Sequence, residues 1–289
     1  MKIARDLDTL RPLVAGWTAA GARVGLVTTM GALHEGHMAL IRAAREGSDR
    51  VVATIFVNPT QFGEAADLAS YPRREDADLA MLRAAGVDAA WLPTIDHMYP
   101  GGPDTFVAVP SLEGILMGAT RPGHFRGVAT AVAKLLNGVG PHAAWFGEKD
   151  FQQLALVRKM VRDLLMPVAI HGVPTVREGD GLALSSRNAR LSAADRAAAP
   201  VLHRALLAGR AAVERGAAAA AAEGAMARVV ASEPRAALAS ADCRDAATLA
   251  PVDGRPASEV VLLLAARFGE VLLIDQMTAE PPTPEEPPS

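Results

Sequence analysis

The chain has 289 residues, half of them hydrophobic, with 29 basic and 32 acidic residues and a formal net charge of -3. This length suits one large domain or two ordinary ones. The net charge argues weakly against nucleic acid as the main partner, but it does not exclude a local basic pocket. The single cysteine, Cys243, excludes an intrachain disulfide and a cysteine metal cluster, and without a leader or an apolar run of ~20 residues we expect a soluble cytoplasmic protein.

The first 36 residues predict a helix, a strand and a turn. Residues 4–21 carry apolar side chains at helical spacing, and Gly21 can end that helix. Val24–Val27 is a short apolar run that is typical of a buried strand. Thr28–Gly36 follows as a turn rich in small residues.

Two histidines, His34 and His37, lie where this turn meets a helix that begins near Gly36. Unpaired backbone N–H groups and the helix dipole suit an anionic phosphate at such a junction, and imidazoles can donate to its oxygens. Zinc ligation is the weaker interpretation, because the His-Glu-x-x-His spacing is absent. Two surface histidines at an ordinary turn would explain the tetrapeptide alone equally well, and the strand–turn–helix context favours function.

Arg50–Val57 is β-branched and apolar, as in a buried parallel strand, and it runs directly into a polar loop. Ligands bind at the carboxyl ends of strands in open α/β sheets. Asn58 and Gln61 are therefore the functional candidates in that loop, although its proline and glycine alone would mark an ordinary turn.

The next part predicts a helix, a strand, a proline-rich loop, a turn and a helix: Arg73–Ala85, Val87–Leu92, Pro93–Pro110, Arg121–Gly127 and Val128–Leu136. The turn carries Arg121, His124 and Arg126, which either bind an anion or are solvated charges at a helix start.

Ala143–Phe146 again predicts a strand before a polar loop, Gly147–Asp150, and a helix over residues 151–165. Lys149 in that loop offers a point charge for phosphate. One of Gln152 and Gln153 should face the pocket. With a fifth apolar segment at 168–176, the alternation predicts an α/β fold with a doubly wound, parallel, Rossmann-like sheet.

Two hydroxyls and a guanidinium, Ser185, Ser186 and Arg187, follow in a glycine-flanked loop that suits a polyphosphate. The competing interpretation is a cap for the next helix, but Ser192 fills that role better. We therefore favour a binding role for the loop.

The remaining chain predicts a second, smaller α+β domain over residues 177–280, after a first domain over residues 1–176, and a disordered proline-rich tail at 281–289. Residues 192–232 are alanine-rich and helical, with expected breaks at Gly209, Gly216 and Gly224. Three strands are expected after them, the last two as an antiparallel hairpin: Cys243–Val252, Glu259–Ala265 and Val271–Ile274.

Five motifs in order resemble those of the pantoate–β-alanine ligases, members of the HxGH nucleotidyltransferase superfamily. They are TMGALHEGH (29–37), FVNPTQF (56–62), RPGHFRGV (121–128), FGEKDFQQL (146–154) and LSSRN (184–188). The resemblance implies a Rossmann-like domain with a smaller C-terminal lid, usually in a homodimer. It implies that ATP, accompanied by Mg²⁺, adenylates pantoate with release of pyrophosphate, and that β-alanine then displaces AMP to give pantothenate.

The resemblance also assigns residues. His34, His37 and Lys149 would act on the phosphates, and no protein ligand for a metal and no general base for β-alanine is implied. The ATP-binding positions would be Thr29, Met30, Gly31, His34, Gly36, His37, Gly147, Glu148, Lys149, Asp150, Val176, Leu184, Ser185, Ser186 and Arg187. The positions around pantoate and β-alanine would be Met30, Asn58, Gln61, Tyr71, Arg121 and Gln153.

Thr28 replaces a proline that is typical of the family, and Leu184 replaces a frequent methionine, but neither change removes a polar group from the expected site. A nucleotidyltransferase acting on a phosphate or alcohol is the first alternative, and the Gln61 and Gln153 pair argues against it because a phosphate acceptor calls for cations. A non-catalytic nucleotide sensor is the second, and the intact set of imidazoles, lysine and arginine argues against it.

Overall fold

The computed structural model describes residues 1–63, 68–69 and 71–283, and it divides the chain into two compact units. The first unit comprises Met1–Glu148 and Gln152–Pro174, and the second comprises residues 149–151 with the chain from Thr175 onward. The change of unit therefore falls two residues before the expected domain boundary. Residues 284–289 of the expected tail lie outside the described residues. Within the described ranges, no helix is long and apolar enough to cross a membrane.

The first unit contains a six-stranded sheet with every pairing parallel, in the order β1-β4-β3-β2-β5-β6. Its strands are β1 (Lys2–Ala4), β2 (Val24–Thr29), β3 (Arg50–Ile55), β4 (Ala89–Trp91), β5 (Ala143–Gly147) and β6 (Ala169–Val173). The expected parallel, Rossmann-like sheet is confirmed. Strand β1 was not predicted, because a segment of three residues that begins with a lysine is too short to show the two-residue period of a strand.

Helices fill the connections of the first unit. They are α1 (Leu7–Ala19), α2 (Glu35–Gly47), α3 (Glu75–Ala84), α4 (Ile95–Met98), α5 (Pro110–Glu113), α6 (Met117–Thr120), α7 (His124–Val139) and α8 (Phe151–Asp163). Asp6 caps α1 by accepting from the Thr9 N–H at 2.7 Å, and Gly21 follows the helix with a positive φ of 81°. Because α7 begins at His124, the predicted turn at 121–127 is helical over its second half.

The strand order places a topological switch point between β2 and β5. The chain runs outward from β2 through β3 to β4 on one side, and β5 pairs with the other side of β2. Ligands bind in such folds outside the carboxyl ends of the strands at this switch point. The loop of the histidine pair follows β2, and the loop before α8 follows β5, so both leave the sheet at that position.

The second unit packs helices against a three-stranded antiparallel sheet, β7-β8-β9. Its elements are α9 (Ala193–Ala198), α10 (Val201–Glu214), α11 (Ala219–Ala231), β7 (Ala237–Asp245), β8 (Val260–Phe268) and β9 (Val271–Ala279). The predicted hairpin is confirmed, with both strands longer than expected. The strand expected at 243–252 is wrong beyond Asp245, whose carboxylate accepts from the Thr248 N–H and starts a turn.

Two of the three expected helix breaks in the second unit are wrong. Gly209 lies inside α10 and Gly224 inside α11, while Gly216, with φ of 76°, does separate these helices. A Cβ on Gly209 would lie 2.7 Å from Met226 Cγ and 3.1 Å from Leu262 Cδ1. Gly209 therefore provides close packing of α10 against its neighbours and does not end the helix.

Candidate active site

The two histidines of the first motif cap the same helix. His34 is the N-cap of α2, and its Nδ1 accepts from the Gly36 N–H at 3.1 Å. His37 Nδ1 accepts in turn from the His34 N–H at 3.3 Å, and the two ring centroids are 4.1 Å apart. Because Nδ1 is the acceptor in both rings, the proton of each neutral imidazole lies on Nε2. In both rings Nε2 is therefore the donor atom.

The turn before these histidines is fixed by a buried carboxylate, Asp78 of α3. One oxygen accepts from the Ala32 N–H and the other from the Leu33 N–H, each at 2.8 Å. Ala32 and Gly31 both have positive φ, and a Cβ on Gly31 would lie 2.9 Å from Asp78 Oδ2. Asp78 therefore sets the entry into α2. The role of Asp78 was not predicted, although an acidic side chain four residues before the apolar Leu82, on the same face of the helix, was a signal.

The polar loop after β3 is a 3₁₀ turn, Pro59–Gln61, around the buried Asn58. Asn58 Nδ2 donates to Gln61 Oε1 at 3.0 Å and to the Gly127 carbonyl at 3.1 Å. Gln61 Nε2 lies 3.1 Å from Met30 Sδ. The structure thus brings together three of the predicted substrate positions, namely Met30, Asn58 and Gln61.

Residues of the predicted RPGHFRGV turn contact the same loop. His124 Nδ1 lies 2.8 Å from the Gln61 carbonyl oxygen, so it donates there, and its Nε2 is 3.2 Å from Arg121 Nη1. Arg126 instead forms an ion pair with Glu113 at 3.1 Å. Arg121 and His124 therefore lie at the candidate site, while the charge of Arg126 is balanced elsewhere.

Gly127 makes close packing between α7 and this loop possible. A Cβ at this position would lie 2.6 Å from the Thr60 carbonyl carbon and 2.8 Å from the Gln61 nitrogen. We expect Gly127→Ala to destabilise the protein by about 1–3 kcal/mol, since backbone atoms would have to move. Gly16→Ala is the matched control, because among the described residues nothing outside the backbone of its own helix lies within 4 Å of its Cβ, and it should stabilise α1 by about 0.5–1 kcal/mol. Urea unfolding of both variants tests the pair, and equal unfolding midpoints would contradict it.

The loop after β5 is a 3₁₀ turn, Glu148–Asp150. Lys149 is largely buried, with Nζ 3.7 Å from Asp150 Oδ1. Gln152 is buried and donates to the Leu112 and Ile115 carbonyl oxygens, each at 2.8 Å. Its amide is therefore committed to the protein, and the half-buried Gln153 is the glutamine that remains for a substrate. Tyr71, the remaining predicted substrate position, is half-buried with its ring edge-on to Phe62.

In the second unit, the serine–arginine motif continues from a short hairpin. The hairpin is closed by the Leu184 N–H, which donates to the Val176 carbonyl at 2.9 Å. Ser185 then caps a 3₁₀ helix, Ser186–Arg190, by accepting from the Arg187 N–H at 3.3 Å. Ser192 caps α9, as the sequence predicted. The predicted phosphate residues thus divide between the units, with His34 and His37 in the first and Lys149 and Arg187 in the second.

The parallel sheet and its switch-point loops define the first unit as a Rossmann-like α/β protein of the nucleotide-binding class. A family model described as pantoate-beta-alanine ligase matches residues 2–278. The pantothenate synthetase of Dinoroseobacter shibae is 51% identical over 276 residues, covering 96% of this chain and 98% of that protein. The chain belongs to the pantoate–β-alanine ligase family, whose members form an amide bond.

Solved structures agree with this assignment. The crystal structure of pantothenate synthetase from Thermus thermophilus has a TM-score of 0.88 and 46% identity, covering 96% of this chain and 99% of its own. The Francisella tularensis pantoate-beta-alanine ligase, crystallised with beta-gamma ATP and beta-alanine, has a TM-score of 0.79 and 30% identity. It covers 96% of this chain and 97% of its own.

Proposed function

We propose that this chain joins pantoate to β-alanine in two steps. A pantoate carboxylate oxygen attacks the α-phosphorus of ATP, and the bond to pyrophosphate breaks. The β-alanine nitrogen then attacks the carbonyl carbon of pantoyl adenylate, AMP leaves, and the nitrogen loses a proton to give pantothenate. The observation that carries the proposal is the position of His34 and His37 at the start of α2, where Nδ1 of each ring accepts a backbone N–H.

The imidazole pair suits the first step, because negative charge grows on the α-phosphate during transfer. Preorganised donors at a helix N-terminus stabilise such charge without reorganising at the moment of reaction. Lys149 is proposed to add a positive charge to the same phosphate. The protein needs no covalent nucleophile, because positioning and electrostatic stabilisation suffice for phosphoryl chemistry.

The other ATP contacts are proposed from the family motifs. Ser185, Ser186 and Arg187 would hold the triphosphate, since two hydroxyls and a planar guanidinium match phosphate oxygens. The adenosine would lie against the Gly147 and Asp150 region, with Val176 and Leu184 nearby.

Magnesium is proposed to enter with ATP as the MgATP substrate. Mg²⁺ prefers phosphate oxygens, water and one or two carboxylates. Across the described residues, no group of three or more His, Cys, Asp or Glu side chains is arranged to hold a metal ion. Asp78, the carboxylate that holds the histidine turn, already accepts two backbone N–H groups.

Pantoate is proposed to bind between the amides of Gln61 and Gln153, beside Met30. Amide groups can meet both the hydroxyl and the carboxylate oxygens of this substrate. Tyr71 and Arg121 would line the same region, and Arg121 already lies 3.5 Å from the Gln61 carbonyl oxygen.

The deciding experiment measures pyrophosphate release from ATP and Mg²⁺ with and without pantoate, and then AMP and pantothenate after β-alanine is added. We expect release to require pantoate and to stop when EDTA removes the magnesium. Pantoate-independent release, or release only with a phosphorylated acceptor, would refute the proposal.

We also propose a cytoplasmic homodimer that pairs through the β6 edge of the first unit's sheet. β6 is the terminal strand of that sheet, and Leu164 and Leu165, just after α8, are 52% and 88% exposed. Exposed strand edges and large apolar side chains favour association with a second chain. Sedimentation of the wild type and of Leu165→Glu tests whether the chain dimerises through this edge. A monomeric wild type would refute the proposed dimer.

A further inference from the structure

Every hydrogen-bonding atom of the Asn58 side chain is used inside the protein. The residue is 1% exposed, and its Oδ1 accepts from the Thr60 N–H at 3.3 Å, the Thr60 hydroxyl at 2.9 Å and the Tyr99 hydroxyl at 2.8 Å. Its Nδ2 donates to Gln61 and to Gly127. A side chain with no remaining capacity does not bind substrate directly, so its function lies in the groups that it orients.

Two backbone groups fix which way the Asn58 amide faces. The Thr60 N–H can only donate, so the atom beside it is Oδ1, and the Gly127 carbonyl can only accept, so the atom beside it is Nδ2. Because Nδ2 also faces Gln61, the Gln61 atom that meets it must be the acceptor Oε1. The orientation of the Gln61 amide is therefore set by the chain itself.

This orientation decides what Gln61 offers to a ligand. Its oxygen already accepts from Asn58, and its Nε2 is directed towards Met30, 3.1 Å from the sulfur. Nε2 carries two hydrogens and a thioether is only a weak acceptor. Gln61 is therefore a donor to its substrate, which suits a carboxylate or hydroxyl oxygen of pantoate.

Tyr99 provides the remaining support for this network. Its ring is buried after α4, and its hydroxyl donates to Asn58 Oδ1 at 2.8 Å. The hydroxyl oxygens of Tyr99 and Thr60 are 3.2 Å apart. Burial raises the pKa of Tyr99 above its ordinary value, so the hydroxyl keeps its proton and stays a donor. Lys134 Nζ lies 4.6 Å from the centre of the ring and donates to the Met98 carbonyl, which holds this segment against α7.

We propose that Tyr99 is a positioning residue, which acts through Asn58 to hold Gln61 with its N–H groups directed at pantoate. The inference rests on the proposed role of Gln61 as a pantoate contact. It assigns a role in substrate recognition to a tyrosine that the sequence placed in a proline-rich loop.

Tyr99→Phe tests the inference, because it removes the hydroxyl and keeps the buried ring. We expect the KM for pantoate to rise roughly 3- to 10-fold, the effect of one lost hydrogen bond, while the KM for ATP stays within about twofold. Thr60→Val removes a second donor to Asn58 Oδ1 and should shift the same constant in the same direction. Kinetics with each substrate varied in turn would resolve the two constants.

Thr130→Val is the matched control. Thr130 is buried in α7, its hydroxyl donates to the Arg126 carbonyl at 2.8 Å and accepts from the Val107 N–H at 2.9 Å, and it makes no hydrogen bond to the Asn58 network. This variant should lower the urea midpoint and leave the KM for pantoate unchanged.

Gln61→Ala separates the two possible failures. If it leaves the KM for pantoate unchanged, the proposed function of Gln61 is wrong. If Gln61→Ala raises the KM for pantoate, Gln61 binds pantoate. The positioning role of Tyr99 is then wrong if Tyr99→Phe and Thr60→Val leave the KM for pantoate and the KM for ATP unchanged, or raise both equally.

Discussion

Replacing His34 with asparagine should lower pantoate-dependent pyrophosphate release by roughly 10²-fold or more, the usual loss when one preorganised transition-state donor is removed. Asparagine is a good N-cap, so it can still accept the Gly36 N–H that His34 Nδ1 accepts at 3.1 Å. It has no group that reaches as far as Nε2. The variant therefore separates the capping role of His34 from its proposed role at the phosphate.

His34→Ala gives the comparison, because it removes both roles and should also cost about 0.5–2 kcal/mol of stability through the lost cap. Lys149→Ala should lower pyrophosphate release to a similar extent. His97→Asn is the control, since this histidine is exposed and its Nδ1 hydrogen-bonds to the nearby Thr94 hydroxyl. Single-turnover pyrophosphate release measures each rate. Wild-type rates in both His34→Asn and Lys149→Ala would remove these residues from the mechanism.

The elements around the sheet could be predicted from the sequence because buried parallel strands read as continuous apolar runs. β2, β3 and β5 each end in a polar loop, and that pattern alone located the histidine pair, Gln61 and Lys149. Ser192 was also identifiable, because helix capping depends on a few neighbouring residues. Local sequence patterns therefore predicted the features that depend on neighbouring residues, such as buried strands and helix caps.

Contacts between distant segments could not be predicted in this way. Asp78 lies 45 residues from the Leu33 N–H that it accepts, and Tyr99 lies 41 residues from Asn58. The sequence pattern around one residue does not indicate its distant partner. The same limit explains the wrong prediction at Gly209. This residue is small because Met226 of the neighbouring helix packs against it, and not because its own helix ends there.

The second large effect is expected at a buried ion pair in the second unit. Arg177 donates to both carboxylate oxygens of Asp275, at 2.6 and 3.0 Å, and the Asp275 side chain is 1% exposed. The same guanidinium donates to the Gly181 carbonyl at 3.0 Å and the Gln276 carbonyl at 3.2 Å. It therefore fastens the hairpin at 177–183 to β9, and the serine–arginine motif continues directly from that hairpin.

Asp275→Ala should destabilise the protein by about 3 kcal/mol or more, because removing one partner leaves a mostly buried guanidinium without its counter-charge. Asp242→Ala is the matched control: its 2.7 Å pair with Arg244 lies on β7, is more exposed, and makes no contribution to the hairpin at 177–183, so its loss should cost about 1 kcal/mol or less. Urea unfolding measures both.

The same variant also tests whether the hairpin positions the triphosphate contacts. If Ser185, Ser186 and Arg187 hold ATP, loosening the base of their hairpin should raise the KM for ATP in the molecules that remain folded, and the KM for pantoate should change little. Assays well below the unfolding temperature, with Asp242→Ala alongside, isolate this effect from lost stability. An Asp275→Ala enzyme that is less stable but binds ATP as wild type does would show that the ion pair supports the fold of the second unit and has no part in placing the phosphate loop.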